Sequence, residues 1–305
     1  MYDVVVVGGG AAGLTSGLIL ARSRRRVVVV DAGEPRNAPA EGVHGFLTRD
    51  GLPPGELTRL GADEVRSYGG EVRAGRAVSA ERDGDGFLVD LEDGTRLGAR
   101  RLVVASGAVD ELPELPGLAD GWGHDVVHCP YCHGWEVRDQ RIGVLVSGPT
   151  AAHQAHLFRQ LSDRLTLLLD GGSALAEEEV VRLAAKGVEV VTAKVVAFER
   201  EDGRLLGARL ADGRLVPLDV VAVQSRVLAR AAVLDALGVP KNDLRAGEHG
   251  EHLLGQAYAA DPMTHLAAPG VWVAGNSADP MAQVVHAAAA GVRAGAMANA
   301  DLAVS

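Results

Sequence analysis

The fold is decided near the N-terminus, where Asp3-Val-Val-Val-Val7 is followed directly by Gly8-Gly-Gly-Ala-Ala-Gly13. The run of valines predicts a buried parallel strand, and the Ala- and Leu-rich stretch after Gly13 predicts a helix. A second apolar run, Arg26 to Val30, ends at Asp31, 23 positions after Gly8. A G-x-G-x-x-G turn between strand and helix, with an acidic residue about 20 positions later, predicts a dinucleotide-binding βαβ unit. Asp31 is then expected to accept a hydrogen bond from a ribose hydroxyl.

Three glycines of this turn are each expected to have a separate structural role. Gly8 makes the tight turn, Gly10 lets the backbone approach a pyrophosphate, and Gly13 lets the helix pack on the strand. The helix that starts at Ala11 and Ala12 points its N-terminal N–H groups at the phosphates. A glycine-rich turn that binds no ligand is the alternative interpretation.

Composition limits the classes of protein to which the chain can belong. The 305 residues are 47% hydrophobic and 23% charged, which indicates a globular chain of about two domains. The net charge of −10 disfavours nucleic acid and anionic membranes as partners. No apolar run reaches the ~18 residues of a membrane span, and Met1-Tyr2-Asp3 lacks the basic start of a signal peptide. We therefore expect a cytoplasmic protein.

The order of patterns along the chain predicts an interrupted α/β domain. Asp-Gly turns between residues 71 and 100 predict hairpins, and Pro113 with Pro116-Gly117 marks a linker. A second α/β unit begins near Arg141, and the strand Gly270 to Gly275, with a long Ala-rich helix after it, resembles a return to the first domain. The expected division is a dinucleotide-binding domain at 1–117, an inserted α/β domain at 118–243, and the rest of the first domain at 244–305.

The chain has two cysteines, Cys129 and Cys132, in a C-x-x-C spacing. A secreted disulfide scaffold needs more cysteines than this. A zinc site needs further ligands, and the flanking His128 and His133 do not easily converge with both cysteines on one ion, so no metal is predicted. A redox-active dithiol is the favoured interpretation. An inert buried pair is the alternative.

Taken together, these motifs resemble the low-molecular-weight thioredoxin reductase-like flavoproteins over nearly the whole length of the chain. The motifs are the Gly8-to-Gly13 turn with Asp31, the strand end Ala105-Ser106-Gly107, Cys129-Pro-Tyr-Cys132, and the strand at Gly270–Gly275 with Gln283-Val284 beyond it. The resemblance implies a two-domain α/β fold, FAD bound by a Rossmann-type first domain, and a homodimer.

The resemblance also implies roles for particular residues. Cys132 is the thiol that faces the flavin, Cys129 is the outer thiol that exchanges with substrate, and His133 is a base. The residues beyond the glycine turn that are expected to contact FAD are Asn37, His44, Val78, Ala105, Ser106, Gly107, Gly275, Asn276, Gln283 and Val284. Trp122 and Trp135 are candidate walls of a substrate pocket, with ordinary packing as the equal alternative.

The inserted domain departs from the reductase pattern at the turn that binds NADPH in that family. The first glycine of the turn is replaced by Val146, and Pro149 removes one backbone N–H. Asp170 stands where a basic cluster for the 2′-phosphate is expected, and its charge would repel that phosphate. NADPH is therefore an unlikely partner, NADH is less strictly excluded, and the domain is expected to be a degenerate nucleotide-binding scaffold.

A second departure follows the cysteines, where His133 replaces the aspartate of the reductases, and Asn276 replaces another aspartate after the last strand. The C-x-x-C-H pattern is similar to the dithiol oxidases that close the disulfides of gliotoxin and holomycin. The resemblance implies oxidation of a small-molecule dithiol, with electrons passed through FAD to O2 to give H2O2. The alternatives are a disulfide reductase fed by ferredoxin or a nicotinamide cofactor, and a non-catalytic flavin redox sensor.

Overall fold

The computed structural model describes residues 1–172, 175–247 and 249–305, and its first domain is built on a parallel sheet. Strand β1 lies at the centre, parallel to β2 on one side and to β6 on the other. The sheet continues outward through β3 at one edge and through β20 and β19 at the other. The elements of the first part of this domain are β1 (Tyr2–Val7), α1 (Ala11–Arg22), β2 (Val27–Asp31), α2 (Pro54–Ser67), β3 (Glu71–Ala74), β4 (Ala77–Asp83), β5 (Gly86–Leu91) and β6 (Arg96–Val104).

The valine runs of β1 and β2 are buried on both faces, as the sequence predicts for a parallel strand. Val5 and Val7 pack in one apolar cluster and Val4 and Val6 in another, so the sheet separates two cores. Both strands stop at the same edge, which brings Gly8 and Asp31 together at their carboxyl ends. This edge is where open α/β sheets bind ligands.

The Asp-Gly turns form the predicted hairpins. Strand β4 pairs antiparallel with β5 across the turn at Gly84, and β5 pairs antiparallel with β6 across the turn at Gly94. The sequence pattern predicts two separate strands, at residues 95–97 and 101–107, and this prediction is wrong. Residues 96–104 form the single strand β6, because its first half pairs with β5 and its second half with β1.

The inserted domain is a second parallel sheet with strand order β11-β10-β9-β15-β8. A three-stranded antiparallel sheet, β12-β13-β14, packs beside it through the cluster around Phe198 and Leu218. The elements of this part of the chain are β7 (Ala108–Glu111), β8 (Val126–Val127), α3 (Pro130–His133), β9 (Ile142–Leu145), α4 (Ala151–Phe158), β10 (Leu165–Leu168), α5 (Glu177–Ala185), β11 (Glu189–Val191), β12 (Val195–Glu201), β13 (Arg204–Leu210), β14 (Leu215–Pro217) and β15 (Val220–Ala222).

The chain returns to the first domain through a mixed sheet of order β17-β18-β16-β7. Strand β7 leaves the first domain and pairs antiparallel with β16, which comes back. Ala231, Val233 and Leu234 already pack in the first domain's core, so the contacts favour a return near residue 226. The division at 118–243 stays a prediction. The last elements are β16 (Arg226–Ala229), α6 (Ala232–Ala236), β17 (Lys241–Ala246), β18 (His252–Tyr258), β19 (Leu266–Ala268), β20 (Val271–Val273) and α7 (Val284–Val304).

Helices α1 and α7 cover one face of the first sheet and approach each other unusually closely. A Cβ on Gly291 of α7 would overlap the carbonyl oxygen of Ala12 in α1, and a Cβ on Gly295 would lie 2.9 Å from the carbonyl oxygen of Ser16. The buried Ser16 hydroxyl donates to the Gly291 carbonyl at 2.9 Å. Small residues therefore set the distance between the two helices whose N-termini face the ligand-binding edge. In the part of the chain that is described, no helix is long and apolar enough to cross a membrane.

Replacing Gly291 with alanine tests this contact. A glycine-to-alanine change in a helix normally stabilises by up to about 1 kcal/mol, but the overlap with Ala12 should reverse the sign. We expect Gly291→Ala to lower the free energy of unfolding by about 1–3 kcal/mol, measured by denaturant titration. Gly55→Ala is the matched control, because a Cβ on Gly55 of α2 meets nothing within 4 Å. Equal stability of the two variants would contradict the packing described here.

Candidate active site

The glycine turn forms the cradle that its sequence predicts. Gly8 has φ of +102°, and a Cβ there would overlap the Ala105 carbonyl oxygen at the end of β6. A Cβ on Gly13 would overlap the Gly8 carbonyl oxygen, so α1 can pack on the turn only with glycine at this position. At Gly10, by contrast, a Cβ would meet nothing within 4 Å. The open side of Gly10 is where the chain leaves room for a phosphate.

The start of α1 supports the same interpretation. Gly10 is the N-cap and no side chain caps this end of the helix. The first N–H groups of a helix have no intrahelical acceptor, so those at Ala11 and Ala12 remain available to an anion. Asp31 accepts a hydrogen bond from the Gly9 N–H at 3.0 Å, which ties the ends of the two central strands together. Glycine is also required at position 9, because a Cβ on Gly9 would lie 2.5 Å from the Asp31 side chain.

A single cavity of about 800 Å³ runs from this cradle to the cysteines. It is wide enough for a cofactor and lies within the usual range for ligand pockets. Gly13 lies beneath the cradle and does not line it. The predicted site residues that do line it are Gly8, Gly10, Ala11, Ala12, Asp31, Asn37, His44, Val78, Ala105, Ser106, Gly107, Cys129, Cys132, His133, Gly275, Asn276, Gln283 and Val284. Their proximity is thus observed, and their individual roles stay predictions.

Two turns from distant parts of the chain are joined at the middle of the cavity. The Ser277 hydroxyl, which is fully buried, accepts from the Gly107 N–H at 2.8 Å and lies 3.2 Å from the Gly107 carbonyl oxygen. Gly275 has φ of +67°, and a Cβ there would lie 2.9 Å from Ala12. The end of β6 and the turn after β20 are therefore in direct contact beside the cavity.

Asn276 holds the loop that follows it, in addition to lining the cavity. Its side-chain N–H group donates to the carbonyl oxygens of Asp279, Pro280 and Ala282, at 3.0, 3.3 and 2.9 Å. An aspartate could not donate these bonds, so the amide is the residue type that holds this loop in place. The amide oxygen remains as a possible acceptor for a cofactor hydroxyl. Asn276 thus fixes the loop that leads into α7.

The two cysteines lie at either end of one short helical turn. Cys129 is the N-cap of α3 and Cys132 lies within it, and both are half-buried free thiols. The backbone N–H groups of Cys132 and His133 both donate to the Cys129 carbonyl oxygen, at 3.2 and 3.1 Å. Pro130 occupies the first helical position, where its missing N–H costs nothing. The turn therefore holds the two thiols on the wall of the cavity.

The two thiols have very different acidities. The hydrogen bond from the Cys132 thiol lowers the pKa of Cys129 to about 6, with further help from the N–H groups of Tyr131 and Cys132. The same hydrogen bond, together with burial, raises the pKa of Cys132 well above its usual range. At neutral pH the pair therefore carries one negative charge, placed on Cys129. A thiolate is the nucleophilic form of cysteine.

Cys132 faces the start of α7. The Gln283 side-chain N–H group lies 3.9 Å from the Cys132 sulfur, and Gln283 is the N-cap of that helix. A helix N-terminus stabilises negative charge, and both Gln283 and Val284 line the cavity. Gln283 also interacts with Cys129, so the assignment of Cys132 as the inner thiol and Cys129 as the outer one stays a prediction.

His133, at the end of α3, is buried in an unusual state. Neither ring nitrogen is exposed, and within residues 1–172, 175–247 and 249–305 neither has a hydrogen-bond partner. Burial lowers the pKa of His133 below its ordinary value, with Glu136 opposing the shift and His44 adding to it. The imidazole is therefore neutral at pH 7 and able to accept a proton. Buried ring nitrogens without partners are rare, and a bound cofactor or substrate is a physical reason for them.

His44 joins the two domains beside the cysteines. Its Nε2 lies 3.4 Å from a carboxylate oxygen of Glu136, and its Nδ1 lies 3.5 Å from Asp50. Close packing occurs nearby, where a Cβ on Gly123 would lie 2.6 Å from Pro39. The segment after Asp31, in which Asn37 and His44 are predicted FAD contacts, thus lines the cavity and contacts the inserted domain. Of the two candidate pocket tryptophans, Trp122 lines the cavity, whereas Trp135 is 67% exposed and stacks against Arg138.

Sequence reasoning missed a buried polar network next to the dithiol. Arg36 makes a two-pronged ion pair with Asp110, with both distances 2.7 Å, and donates to the Pro280 carbonyl oxygen. Burial of the Asp110 carboxylate raises its pKa, but the ion pair with Arg36 lowers it by more. The pKa of Asp110 therefore lies below its ordinary value. Ser225 donates to the same carboxylate at 2.6 Å. His128 lies close by, and burial lowers its pKa. These residues are far apart in sequence and share no spacing motif.

In the damaged turn of the inserted domain, one backbone N–H is engaged within the turn itself. The N–H of Ala151, the first residue of α4, donates to the Gly148 carbonyl oxygen at 3.2 Å, so it does not point at a ligand. The Asp170 carboxylate accepts the Val195 N–H at 2.8 Å. It is thus engaged in holding β12. Val146 is buried in the domain core. These contacts agree with the prediction that the domain is a degenerate nucleotide-binding fold.

Comparison with known proteins assigns the class. The model of the pyridine nucleotide-disulphide oxidoreductase family matches residues 2–291. The chain therefore belongs to this family, and it is an FAD-binding oxidoreductase that acts on thiols and disulfides. The open cradle at Gly10 and the uncapped start of α1 fit the FAD pyrophosphate.

Comparison with individual proteins shows which members of the family this chain resembles. The chain is 32% identical to the thioredoxin reductase tcpT of Claviceps purpurea, over 99% of this chain and 94% of that protein. It is 43% identical to the crystal structure of HlmI, with a TM-score of 0.88 and coverage of 99% and 92%. The oxidoreductase from Agrobacterium tumefaciens is 33% identical, with a TM-score of 0.89 and 99% coverage of both chains. The two-domain thioredoxin reductase-like fold is thereby confirmed.

The acidity of Cys129 can be measured by alkylation of the reduced holoenzyme with iodoacetamide. Because its pKa is lowered to about 6, Cys129 should be a thiolate above that pH and should react with an inflection near it. In Cys132→Ala the donated hydrogen bond is lost, and the inflection should move upward by at least about one unit. In Cys129→Ala the remaining thiol should react slowly at neutral pH. An inflection between pH 8 and 9 in the unaltered protein, which is the range of an ordinary thiol, would contradict this polarity.

Proposed function

We propose that the protein oxidises a small-molecule dithiol to a disulfide through Cys129 and Cys132, and that O2 is the final electron acceptor. The observation that carries the proposal is the cavity that joins the dithiol to the flavin cradle. The second nucleotide turn, by contrast, uses its Ala151 N–H for the Gly148 carbonyl oxygen. A reductase needs a route for electrons from a nicotinamide to FAD. The contacts of Ala151 and Asp170 argue against such a route.

The chain's own residues supply the thiol chemistry. With the pair oxidised to a disulfide, a substrate thiolate attacks the Cys129 sulfur, the S–S bond breaks, and Cys132 leaves as a thiolate. The second substrate thiolate then attacks the substrate sulfur of the mixed disulfide and expels Cys129. The substrate is oxidised to its disulfide, and the enzyme dithiol holds the two electrons. The acidic Cys129 is the better leaving group and is therefore suited to the outer position.

His133, which is neutral and follows Cys132 directly, accepts the protons released by the thiols. A neutral imidazole has the intrinsic basicity needed for proton transfer near neutral pH. When bound, FAD accepts two electrons from the dithiol and delivers them to O2. The start of α7, with Gln283 and Val284, supports negative charge on the cofactor at this point. The overall reaction is dithiol plus O2 giving disulfide plus H2O2, in which atoms and electrons balance.

A second candidate is a disulfide reductase fed by ferredoxin or a nicotinamide. It is favoured by the name of the relative tcpT, which is called a thioredoxin reductase. Tyr131, between the two cysteines, is 68% exposed, which would suit a protein substrate.

For the oxidase we further propose a homodimer in the cytoplasm. A reducing compartment suits a chain whose two cysteines work as an exchanging pair.

An oxygen electrode distinguishes these possibilities. With dithiothreitol as donor and no nicotinamide present, we expect continuous O2 uptake, with one H2O2 formed for each disulfide. Catalase should return half of the consumed O2, because two H2O2 decompose to one O2. Cys129→Ser is the control and should abolish uptake, because no substrate exchange remains. Uptake that requires NADPH, or that occurs equally in Cys129→Ser, would overturn the oxidase proposal. No flavin-dependent reaction with any dithiol would favour the redox sensor.

A further inference from the structure

The ion pair of Arg36 and Asp110 lies beside the dithiol, and the proposed thiol exchange does not use it. Both residues line the same cavity as Cys129 and Cys132. The Arg36 side chain is 25% exposed and the Asp110 side chain only 7%. Because burial of charged groups costs desolvation free energy, a largely buried ion pair beside reactive thiols is a candidate for a role in the reaction.

The guanidinium of Arg36 is held in one orientation. Its Nε and Nη2 donate to the two carboxylate oxygens of Asp110, both at 2.7 Å, and its Nη1 donates to the Pro280 carbonyl oxygen at 3.2 Å. The same carboxylate accepts from the Ser225 hydroxyl at 2.6 Å. The positive charge is therefore in place before any reaction starts, which is the condition for stabilising a negative charge that forms later.

The loop before α7 connects Arg36 to Cys132. The Pro280 carbonyl oxygen accepts from Arg36, and it also accepts from the Asn276 side chain at 3.3 Å. Three residues further along this loop, the Gln283 side-chain N–H group lies 3.9 Å from the Cys132 sulfur. The loop that touches the thiol is thus the loop that the guanidinium holds.

A second series of contacts connects Asp110 to the other end of the dithiol. Ser225, whose hydroxyl donates to Asp110, has its backbone N–H 3.4 Å from the ring Nδ1 of His128. His128 is the residue directly before Cys129. The ion pair is therefore connected to both ends of the α3 turn, through contacts that come from different parts of the chain.

The charged and titratable side chains of this region come from each element packed around α3. They are Arg36, His44, Asp110, His128, His133 and Glu136. Burial lowers the pKa of His128 and of His133, so both rings are neutral at pH 7. The ring of His44 lies 3.4 Å from a carboxylate oxygen of Glu136, so any charge on it is compensated. Arg36 is therefore the fixed cation of this group.

Cys132 is the thiol that needs a nearby cation. When a substrate thiolate attacks the Cys129 sulfur, the S–S bond breaks and its electron pair leaves on Cys132. Cys129 is then bonded to the substrate, so the exchange leaves a new negative charge on Cys132. The charge of Arg36 lowers the pKa of Cys132, and a thiol of lower pKa leaves faster.

We propose that the Arg36 guanidinium, oriented by Asp110 and Pro280, stabilises the Cys132 thiolate that forms when Cys129 exchanges with substrate. Asp110 is then a positioning residue that acts through Arg36, and its negative charge also limits the effect of the cation. The inference goes beyond the proposed direction of electron flow. A Cys132 thiolate forms whether the pair oxidises a dithiol or reduces a disulfide.

The acidity of Cys132 tests the inference when it is the only thiol. The holoenzyme of Cys129→Ala provides this background, and the rate of alkylation by iodoacetamide is measured against pH. Adding Arg36→Gln should raise the inflection by at least about one unit, because a cation that favours the thiolate is lost. Adding Asp110→Asn should lower it by about half a unit or more, because Arg36 then keeps its full charge.

Two further variants are made in the same background. Arg138→Gln is the matched control, because Arg138 also lies near α3 but its guanidinium stacks on the exposed Trp135 ring, and the inflection should stay unchanged. Arg36→Lys keeps a cation without the two-pronged pairing and should reverse about half or more of the shift seen in Arg36→Gln. The flavin absorbance of each variant shows that it is folded.

The opposite signs expected for Arg36→Gln and Asp110→Asn distinguish a charge effect from loss of structure. An unchanged inflection in Arg36→Gln would overturn the inference. A rise of the inflection in both variants would also overturn it, because that is the result of a disturbed loop rather than of a lost cation. The measurement involves no electron acceptor, so failure of the proposed dithiol oxidation would leave this result intact.

Discussion

The close approach of the Gly8 turn to the end of β6 is the constraint on which the rest of the site depends. A Cβ on Gly8 would overlap the Ala105 carbonyl oxygen, and one on Gly13 would overlap the Gly8 carbonyl oxygen. Because these backbones touch, α1 begins directly above the sheet edge with its N–H groups uncapped. Helix α7 is held against α1 through Gly291, which places its own N-terminus near Cys132. The N-termini of α1 and α7 therefore lie at the two parts of one cavity, the cradle and the dithiol.

Charge is distributed along the cavity in a way that suits thiol exchange. Cys129 carries the negative charge of the pair because Cys132 donates to it, and His133 is kept neutral by burial. The inserted domain contributes the dithiol, while in its own nucleotide turn the Ala151 N–H donates to the Gly148 carbonyl oxygen. Family membership and FAD are established by the comparisons. The proposed direction of electron flow, from the dithiol to FAD, rests instead on these contacts.

Local patterns in the sequence predicted much of the fold, and contacts between distant residues account for most of what was missed. The strand, the glycine turn and Asp31 lie within one βαβ unit, so their spacing alone indicates their contact. The Asp-Gly hairpins were predicted for the same reason, although β6 is one strand because it pairs with two partners. Arg36 and Asp110 are 74 positions apart, and Gln154 bonds to His128 across two elements. No periodicity or motif links such residues. The contact of Asn276 with the cofactor stays a prediction, and its hydrogen bonds to the following loop are a further feature that the sequence alone does not indicate.

The rate at which each donor reduces the bound flavin tests the proposed electron path most directly. Stopped-flow absorbance without O2 follows the oxidised holoenzyme after it is mixed with a dithiol, with NADPH, or with NADH. Because the cysteines share the flavin cavity, and Pro149 and Ala151 offer no free N–H at the nucleotide turn, the dithiol should bleach the flavin at least as fast as steady-state turnover. Both nicotinamides should bleach it far more slowly than turnover. Bleaching by NADPH within the turnover time would contradict the oxidase and restore a thioredoxin-type reductase.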